Sequence, residues 1–195
     1  VGFVARDCTL ETHPVRARRA LKEVEVDEAE DTRRTAQLLS RHGITTSTTS
    51  RHENNEARKA GLLIERLQRG DSVALVSDAG TPTVSDPGGV LIRAAIHAGI
   101  RVEPIPGASA ILAALAASGL PTEAFTFMGF PPTRGKNRKN WFERLKTTRG
   151  TIVFFEAPHR IQATLHEVQR EVGDCEVAVG RELTKIHEDL VRGPI

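Results

Sequence analysis

"VALVSDAGTPTVSDPGG", residues 73–89, decides the fold. Its first four residues are an uninterrupted apolar run, the length and character of a strand buried on both faces. The thirteen residues that follow, 77–89, hold three Gly, two Pro, two Asp, two Ser and two Thr, and offer almost nothing to a core. Ser85 or Asp86 suits an N-cap, Pro87 suits a first helical turn, and "GGVLIRAAIHAG" carries a helix to Gly99. The stretch is therefore a strand-to-helix crossover, longer than the roughly two to six residues usual for that connection. In an open α/β sheet such crossovers leave the carboxyl ends of the strands, where ligands bind. Small residues at Ala79, Gly80 and Thr81 let backbone groups approach a ligand closely, and Asp78 can accept from an ammonium or a hydroxyl. The alternative is an ordinary connection of unusual length.

The same alternation extends outward. Helical spacing joins Ala17, Ala20, Leu21 and Val24, then Ala60, Leu63, Ile64 and Leu67 before Gly70, then Ile161, Leu165, Val168 and Val172 before Gly173. Between these fall β-type runs at 2–5, 73–76, 101–105, 125–129, 151–155 and 176–179. "EVEVDEA" at 23–29 alternates acid with Val and reads as an exposed or edge strand. Strands alternating with helices predict an α/β protein. "SGLPTEA" at 118–124 marks a boundary between an N-terminal domain of residues 1–119 and a C-terminal domain of residues 120–195. A second close-approach bend, "IPGASAILAAL" at 105–115, follows the 101–105 run and places Ser109 and Ala110 at the start of an alanine-rich helix. If sequential strands neighbour one another, the two bends share one edge of the sheet. Neither bend continues into Gly-Lys-Ser/Thr or Gly-x-Gly-x-x-Gly, so a phosphate-rich cofactor is poorly supported.

Composition narrows the class further. The chain has 195 residues, 39% hydrophobic, and a net charge of only +2, although 27% of residues are charged, so a basic surface must come from clustering. Cys8 and Cys175 lie far apart and form no Cys-x-x-Cys pair, which suits a reducing compartment. The seven histidines make no His-Glu-x-x-His pattern, and no metal site is expected. The longest weakly polar run, 108–119, is shorter than the roughly 18–20 apolar residues that span a bilayer. The expectation is a soluble cytoplasmic protein with no membrane partner.

One segment stands apart electrically. "TRGKNRKNWFERLKTTRG", 133–150, carries Arg134, Lys136, Arg138, Lys139, Arg144, Lys146 and Arg149 against one acid, Glu143, with Trp141 and Phe142 embedded. Cations in this density suit phosphate contacts, and an exposed aromatic would suit base stacking. The plainer alternative is a solvated helix whose Trp141, Phe142 and Leu145 face a core, and for the aromatic pair that alternative is preferred.

Taken in order, "AEDTRRT" (29–35), "SDAGTPTVSDPG" (77–88), "PGASA" (106–110), "FMGFPP" (127–132), "FFEAPHR" (154–160) and "GRELTKIHEDLVRG" (180–193) resemble the ribosomal RNA small subunit methyltransferase I family. These are cytidine 2′-O-methyltransferases of the tetrapyrrole methylase superfamily. The resemblance implies a homodimer with a two-domain tetrapyrrole-methylase-like fold, each domain a mixed sheet flanked by helices. It also implies further strands and a helix beyond Ile195, which would leave the second domain incomplete at that end. The cofactor implied is S-adenosyl-L-methionine, bound between the domains by Asp78, Ala79, Gly80, Thr81, Pro82, Ser109 and Ala110, with Phe155 and Glu156 facing them. The partner implied is small-subunit ribosomal RNA or the 30S subunit, met by Arg33, Arg134, Lys136, Arg138, Lys139 and Arg160.

Methyl transfer from a sulfonium to a ribose hydroxyl is an in-line displacement, helped by alignment and by a group that takes the hydroxyl proton. Glu30, Glu182 and Lys185 are the candidates for that group; Glu156 is a further one. Each has a plainer reading: Glu30, Asp31 and Arg33 cap and charge a helix start, and Glu182 and Lys185 form a surface pair. The chain departs from the family at residues 3–14, "FVARDCTLETHP", where Arg6, Asp7 and Cys8 stand in place of a small Gly-bearing turn. Two other readings therefore stay open: a tetrapyrrole-precursor C-methyltransferase, and a catalytically impaired relative that binds RNA or cofactor.

Overall fold

A computed structural model of the chain describes residues 2–4, 15–24, 26–29, 32–50, 56–77, 80–86 and 88–195. Contacts between residues divide it into two compact units, 1–109 and 110–195. The division falls ten residues before the boundary expected at Gly119, because the alanine-rich helix packs with the second unit: the Arg192 guanidinium donates to the Ala117 carbonyl at 2.6 and 2.8 Å.

The first unit alternates strand and helix: β1 (Gly2–Val4), α1 (Val15–Glu23), β2 (Val26–Ala29), α2 (Thr32–Arg41), β3 (Ser47–Ser50), α3 (Glu56–Gln68), β4 (Val73–Val76) and α4 (Gly89–His97). The four strands pair in parallel in the order β1-β4-β2-β3. β4 is buried at all four positions, as its unbroken apolar run requires of a strand covered on both faces. Its side chains alternate between two cores. Ala74 and Val76 pack with Ala17, Leu21, Leu38, Leu39 and Ile44 from the α1 and α2 side, whereas Val73 packs with Ala60, Leu63, Leu67 and Leu91 from α3 and α4. Helices thus cover both faces of the sheet, the α/β layering read from the sequence.

Two local expectations change. β2 pairs with both β4 and β3 and is an interior strand rather than an edge, because backbone pairing, which side-chain polarity does not report, sets its place. Residues 101–105 make only a single bridge position, at Glu103; Pro104 and Pro106 lack the N–H groups a ladder needs. Glu103 is instead tied to Arg16 of α1, and that hydrogen bond, ahead of the nearby Arg101 charge, holds its carboxyl below the usual range.

The second unit contains α5 (Ala110–Ser118), β5 (Phe125–Phe127), α6 (Gly135–Thr147), β6 (Thr151–Val153), α7 (Ile161–Val172), β7 (Glu176–Arg181) and β8 (Asp189–Pro194). β5 and β6 pair in parallel around α6, and β7 and β8 form an antiparallel hairpin. The mixture of strand directions therefore sits in this unit, while the described strands of the first unit are parallel throughout. The hydrophobic core joins Met128, Trp141, Phe142, Leu145 and Val168, with Ile152 and Phe154 packed against it. Trp141 is 5% exposed and donates its indole N–H to the Met128 carbonyl at 3.1 Å. Trp141, Phe142 and Leu145 turn inward from α6, the core placement preferred for them from the sequence. Among the described residues, no helix is long and apolar enough to cross a membrane, and no three His, Cys, Asp or Glu side chains gather as a metal site would require.

Candidate functional site

The register places the ends of three strands side by side: Val76 of β4 is paired with Val4 of β1 on one side and with Ala29 of β2 on the other. The loop after β4 leaves from this carboxyl edge. Asp78, Ala79 and Pro87 of that loop, Glu30 and Asp31 after β2, and the 5–14 stretch after β1, with Arg6, Asp7 and Cys8, lie outside the described residues.

What is described of the loop is a backbone held in uncommon conformations. Gly80, Thr83 and Ser85 have φ of 72°, 73° and 65°. Left-handed φ is uncommon for residues that carry a side chain, so Thr83 and Ser85 are held there by their surroundings. One such tie spans the loop: the buried Ser77 hydroxyl donates to the Asp86 carboxylate at 2.7 Å. This interaction corrects the expected cap. α4 begins at Gly89 with Gly88 before it and no side-chain cap, since Asp86 is turned back toward Ser77. Pro82 is buried and Thr81 exposed. At Gly80 an added Cβ would meet nothing within 4 Å among the described residues. Of the second bend, Ser109 is half-buried and Ala110 opens α5.

In the second unit the sequence "FFEAPHR" builds an interior polar network. Glu156, its side chain only 1% exposed, accepts from Arg160 at 3.0 Å, from the Thr164 hydroxyl at 2.7 Å and from the Ala157 N–H at 2.8 Å. Arg160 also donates to the Pro131 carbonyl at 2.6 Å. Arg138 of α6, 14% exposed, donates to the Pro132 carbonyl at 2.8 Å, to Glu167 at 3.0 Å and to Thr164 at 3.2 Å, with its guanidinium over the Phe142 ring. A buried carboxylate needs such donors, because unpaired it would be strongly disfavoured.

Within this unit Glu156 is the hub of the network, and Arg138 and Arg160 tie α6 and α7 to the 131–132 bend. Local spacing signals only the Glu156–Arg160 pair, four residues apart; Arg138 and Glu167 are 29 residues apart. Glu182 and Lys185 lie in the turn between β7 and β8, both exposed, with the Lys185 N–H donating to the Glu182 carbonyl at 2.9 Å. No ion pair joins their side chains among the described residues. Phe155 is half-buried, stacked between Phe127 and Phe130.

The basic segment divides once folded. Lys146 is drawn to Glu171 at 2.6 Å and Glu143 at 3.2 Å, and these hydrogen bonds, Glu171 first, raise its pKa. The bond from Lys146 in turn lowers that of Glu171. Arg134, Lys136, Lys139, Arg144 and Arg149 remain exposed, and none joins an ion pair among the described residues. Arg134 stands at the N-cap of α6, with Lys136 and Lys139 close behind and no acid in the first turn. Cations at the positive end of a helix oppose its dipole. A polyanion docked there would relieve the conflict. In the first unit, exposed Arg33 and Arg41 flank an open hollow of about 470 Å³ along α2.

A parallel sheet covered on both faces, a long open-backbone loop at its carboxyl edge and a second α/β unit define a recognisable class. The sequence model of the tetrapyrrole (corrin/porphyrin) methylases matches residues 9–195. Among solved structures, the chain is similar to a diphthine synthase (TM-score 0.75, 17% identity, 98% of this chain and 80% of that one) and to the methyltransferase CobJ (TM-score 0.72, 22% identity, 99% and 85%). At that identity the likeness speaks for the fold. Nearer relatives are the ribosomal RNA small subunit methyltransferases I of Halalkalibacterium halodurans (47% identical, 95% of this chain, 64% of the relative) and Thermotoga maritima (42% identical, 95% and 83%). The chain belongs to the ribosomal RNA small subunit methyltransferase I family of the tetrapyrrole methylases. It spans 64% of the length of the Halalkalibacterium protein and 62% of the Mesorhizobium japonicum one.

Proposed function

We propose that the protein transfers a methyl group from S-adenosyl-L-methionine to the 2′-hydroxyl of a cytidine in small-subunit ribosomal RNA. The observation that carries this reading is the loop after β4. It leaves the carboxyl edge of a buried parallel strand and turns a left-handed backbone at Gly80 toward space where, among the described residues, nothing lies within 4 Å of an added Cβ. Such a surface fits a cofactor with adenine, ribose and amino-acid ends, which needs short polar contacts and no phosphate cradle. Asp78, Ala79, Gly80, Thr81 and Pro82, with Ser109 and Ala110, would hold it. When bound, the sulfonium supplies the electrophilic methyl. The chain's own part is to align the acceptor hydroxyl and take up its proton. Glu156 is engaged with Arg160 and Thr164, which leaves Glu30, Glu182 and Lys185 as candidates for the proton acceptor.

Gly80→Val tests the loop directly. An added side chain has room but the wrong backbone preference, so the fold is expected to lose only about 1–2 kcal/mol, while affinity for S-adenosyl-L-methionine by calorimetry falls at least tenfold. Donor affinity equal to wild type would remove the loop from the site.

RNA recognition is assigned to Arg134, Lys136, Lys139 and Arg33, with Arg144 added from its exposure. Phosphate contacts made by these cations should follow counterion release. Replacing Lys136, Lys139 and Arg144 together with Gln should reduce the slope of log affinity against log salt by about two, at roughly 0.7 per phosphate on single strands. A slope unchanged by the triple substitution would move the interface elsewhere. Transfer of a tritiated methyl group to small ribosomal subunits lacking the modification, followed by mapping of the ribose, tests the activity itself. Methylation of a tetrapyrrole precursor instead would favour the other enzyme reading, and donor and RNA binding without transfer the impaired one. The relatives' names favour RNA over a corrin. Homodimer formation and a cytoplasmic site of action complete the proposal; Ile186, 96% exposed on the β7–β8 turn, is the residue whose change to Glu should weaken a dimer in sedimentation.

A further inference from the structure

The second unit shows an aromatic ring to solvent on a bend whose backbone is held by hydrogen bonds. Phe130 is 54% exposed. Its ring lies 5.4 Å from that of Phe155, tilted by 49°, and Phe155 meets Phe127 edge-on at 5.0 Å. The two chains beneath remain paired beyond the ends of β5 and β6: the Met128 N–H donates to Val153 at 2.8 Å and the Phe155 N–H to Gly129 at 2.9 Å. Gly129, at φ 63°, turns the chain in a conformation that glycine adopts freely. The next two carbonyls, of Pro131 and Pro132, are each held by a guanidinium, Arg160 and Arg138, and each guanidinium is held by a buried or half-buried carboxylate.

An exposed ring on a clamped bend loses little freedom when something stacks on it. The charge beside it points to what that is. The chain runs from this bend into Arg134, Lys136 and Lys139, exposed and outside any ion pair among the described residues. A flat apolar ring bordered by cations complements a polyanion that carries aromatic faces, which is single-stranded nucleic acid rather than an apolar protein surface.

We propose that the Phe130–Phe155 shelf stacks an unpaired nucleobase of the RNA substrate, with Glu156, Arg160 and Arg138 as the positioning residues that fix the shelf. The proposal rests on the RNA reading above and assigns it a contact surface. Its test uses the full chain with a single-stranded RNA oligomer carrying 2-aminopurine, whose fluorescence is quenched by stacking. Wild type and Phe130→Trp are expected to bind and quench. Phe130→Leu and Phe130→Ala should bind about tenfold more weakly with the quench lost and the salt slope unchanged. Equal affinity and quench in Phe130→Leu and wild type would overturn the shelf while leaving the RNA reading intact; no RNA binding by wild type would overturn both. A Phe130→Leu protein that keeps RNA but loses S-adenosyl-L-methionine affinity would assign the ring to an adenine, and one that keeps RNA but changes oligomeric state would assign it to a protein contact. Either result overturns the proposal. Should Phe130→Ala fail to fold, the Leu and Trp variants, both large and apolar, carry the comparison.

Discussion

Glu156→Ala should destabilise the second unit by about 3–5 kcal/mol, the scale for removing one partner of a buried ion pair. The carboxylate is 1% exposed and receives three donors, so its loss leaves the Thr164 hydroxyl and the Ala157 N–H without that acceptor and the Arg160 guanidinium without its counter-charge, held only by the Pro131 carbonyl. Glu156→Gln separates charge from shape. Its amide oxygen can still accept from Thr164 or from the Ala157 N–H, but its NH2 group opposes the Arg160 donors, so an intermediate loss of about 1–3 kcal/mol is expected. Urea unfolding followed through Trp141, the single tryptophan of the chain, reports this unit directly. Three-donor anchoring is refuted by an Ala variant within about 0.5 kcal/mol of wild type, the range of ordinary surface substitutions. Because the same network clamps the 131–132 bend, the variant should also weaken RNA binding more than donor binding.

Trp141→Ala carries an equally large expectation. Removal of a buried tryptophan costs about 3–5 kcal/mol, and here the Met128 carbonyl also loses its indole donor. Trp141→Phe keeps most of the packing against Phe142 and Phe154 and loses chiefly that hydrogen bond, a cost of about 1 kcal/mol plus any gap left by the smaller ring. Circular dichroism melts read both. The tryptophan lies in the most cationic stretch of the chain, where a stacking role is the tempting reading, so the salt dependence of RNA binding is the informative control. Trp141→Phe should leave the slope unchanged, whereas substituting Lys136, Lys139 and Arg144 should reduce it. A Trp141→Phe protein of normal stability that binds RNA poorly would return the indole to the interface.

The sequence was most informative where one residue's environment follows from its neighbours. The run at 73–76 reads as a buried strand, and the structure buries all four residues, with two cores packed against its faces. The inward face of α6 followed from the spacing of Trp141, Phe142 and Leu145. Spacing failed where pairing partners decide. β2 carries acids and still sits between two strands, and 101–105 has β-type residues, but Pro104 within it and Pro106 just after it deny it a ladder. Phe130 gave no sign in its own motif of being the exposed ring. That follows from Pro131 being buried beside it and from the clamps on the two following carbonyls.

By itself the sequence determined the alternation of strand and helix, the long loop at the end of β4 and the membership of the chain in its family, because these reside in local periodicity, turn chemistry and motif order. Only the tertiary structure decided which charges are spent inside the protein and which stay exposed. Arg138, Arg160 and Lys146 look the same as Lys136 and Lys139 along the chain. Packing α7 beside α6 brings Glu167 to Arg138 and Glu171 to Lys146, the turn before α7 brings Glu156 to Arg160, and the others are left facing solvent. A charge's role depends on the distance to its counter-charge, and that distance exists only once the chain has folded.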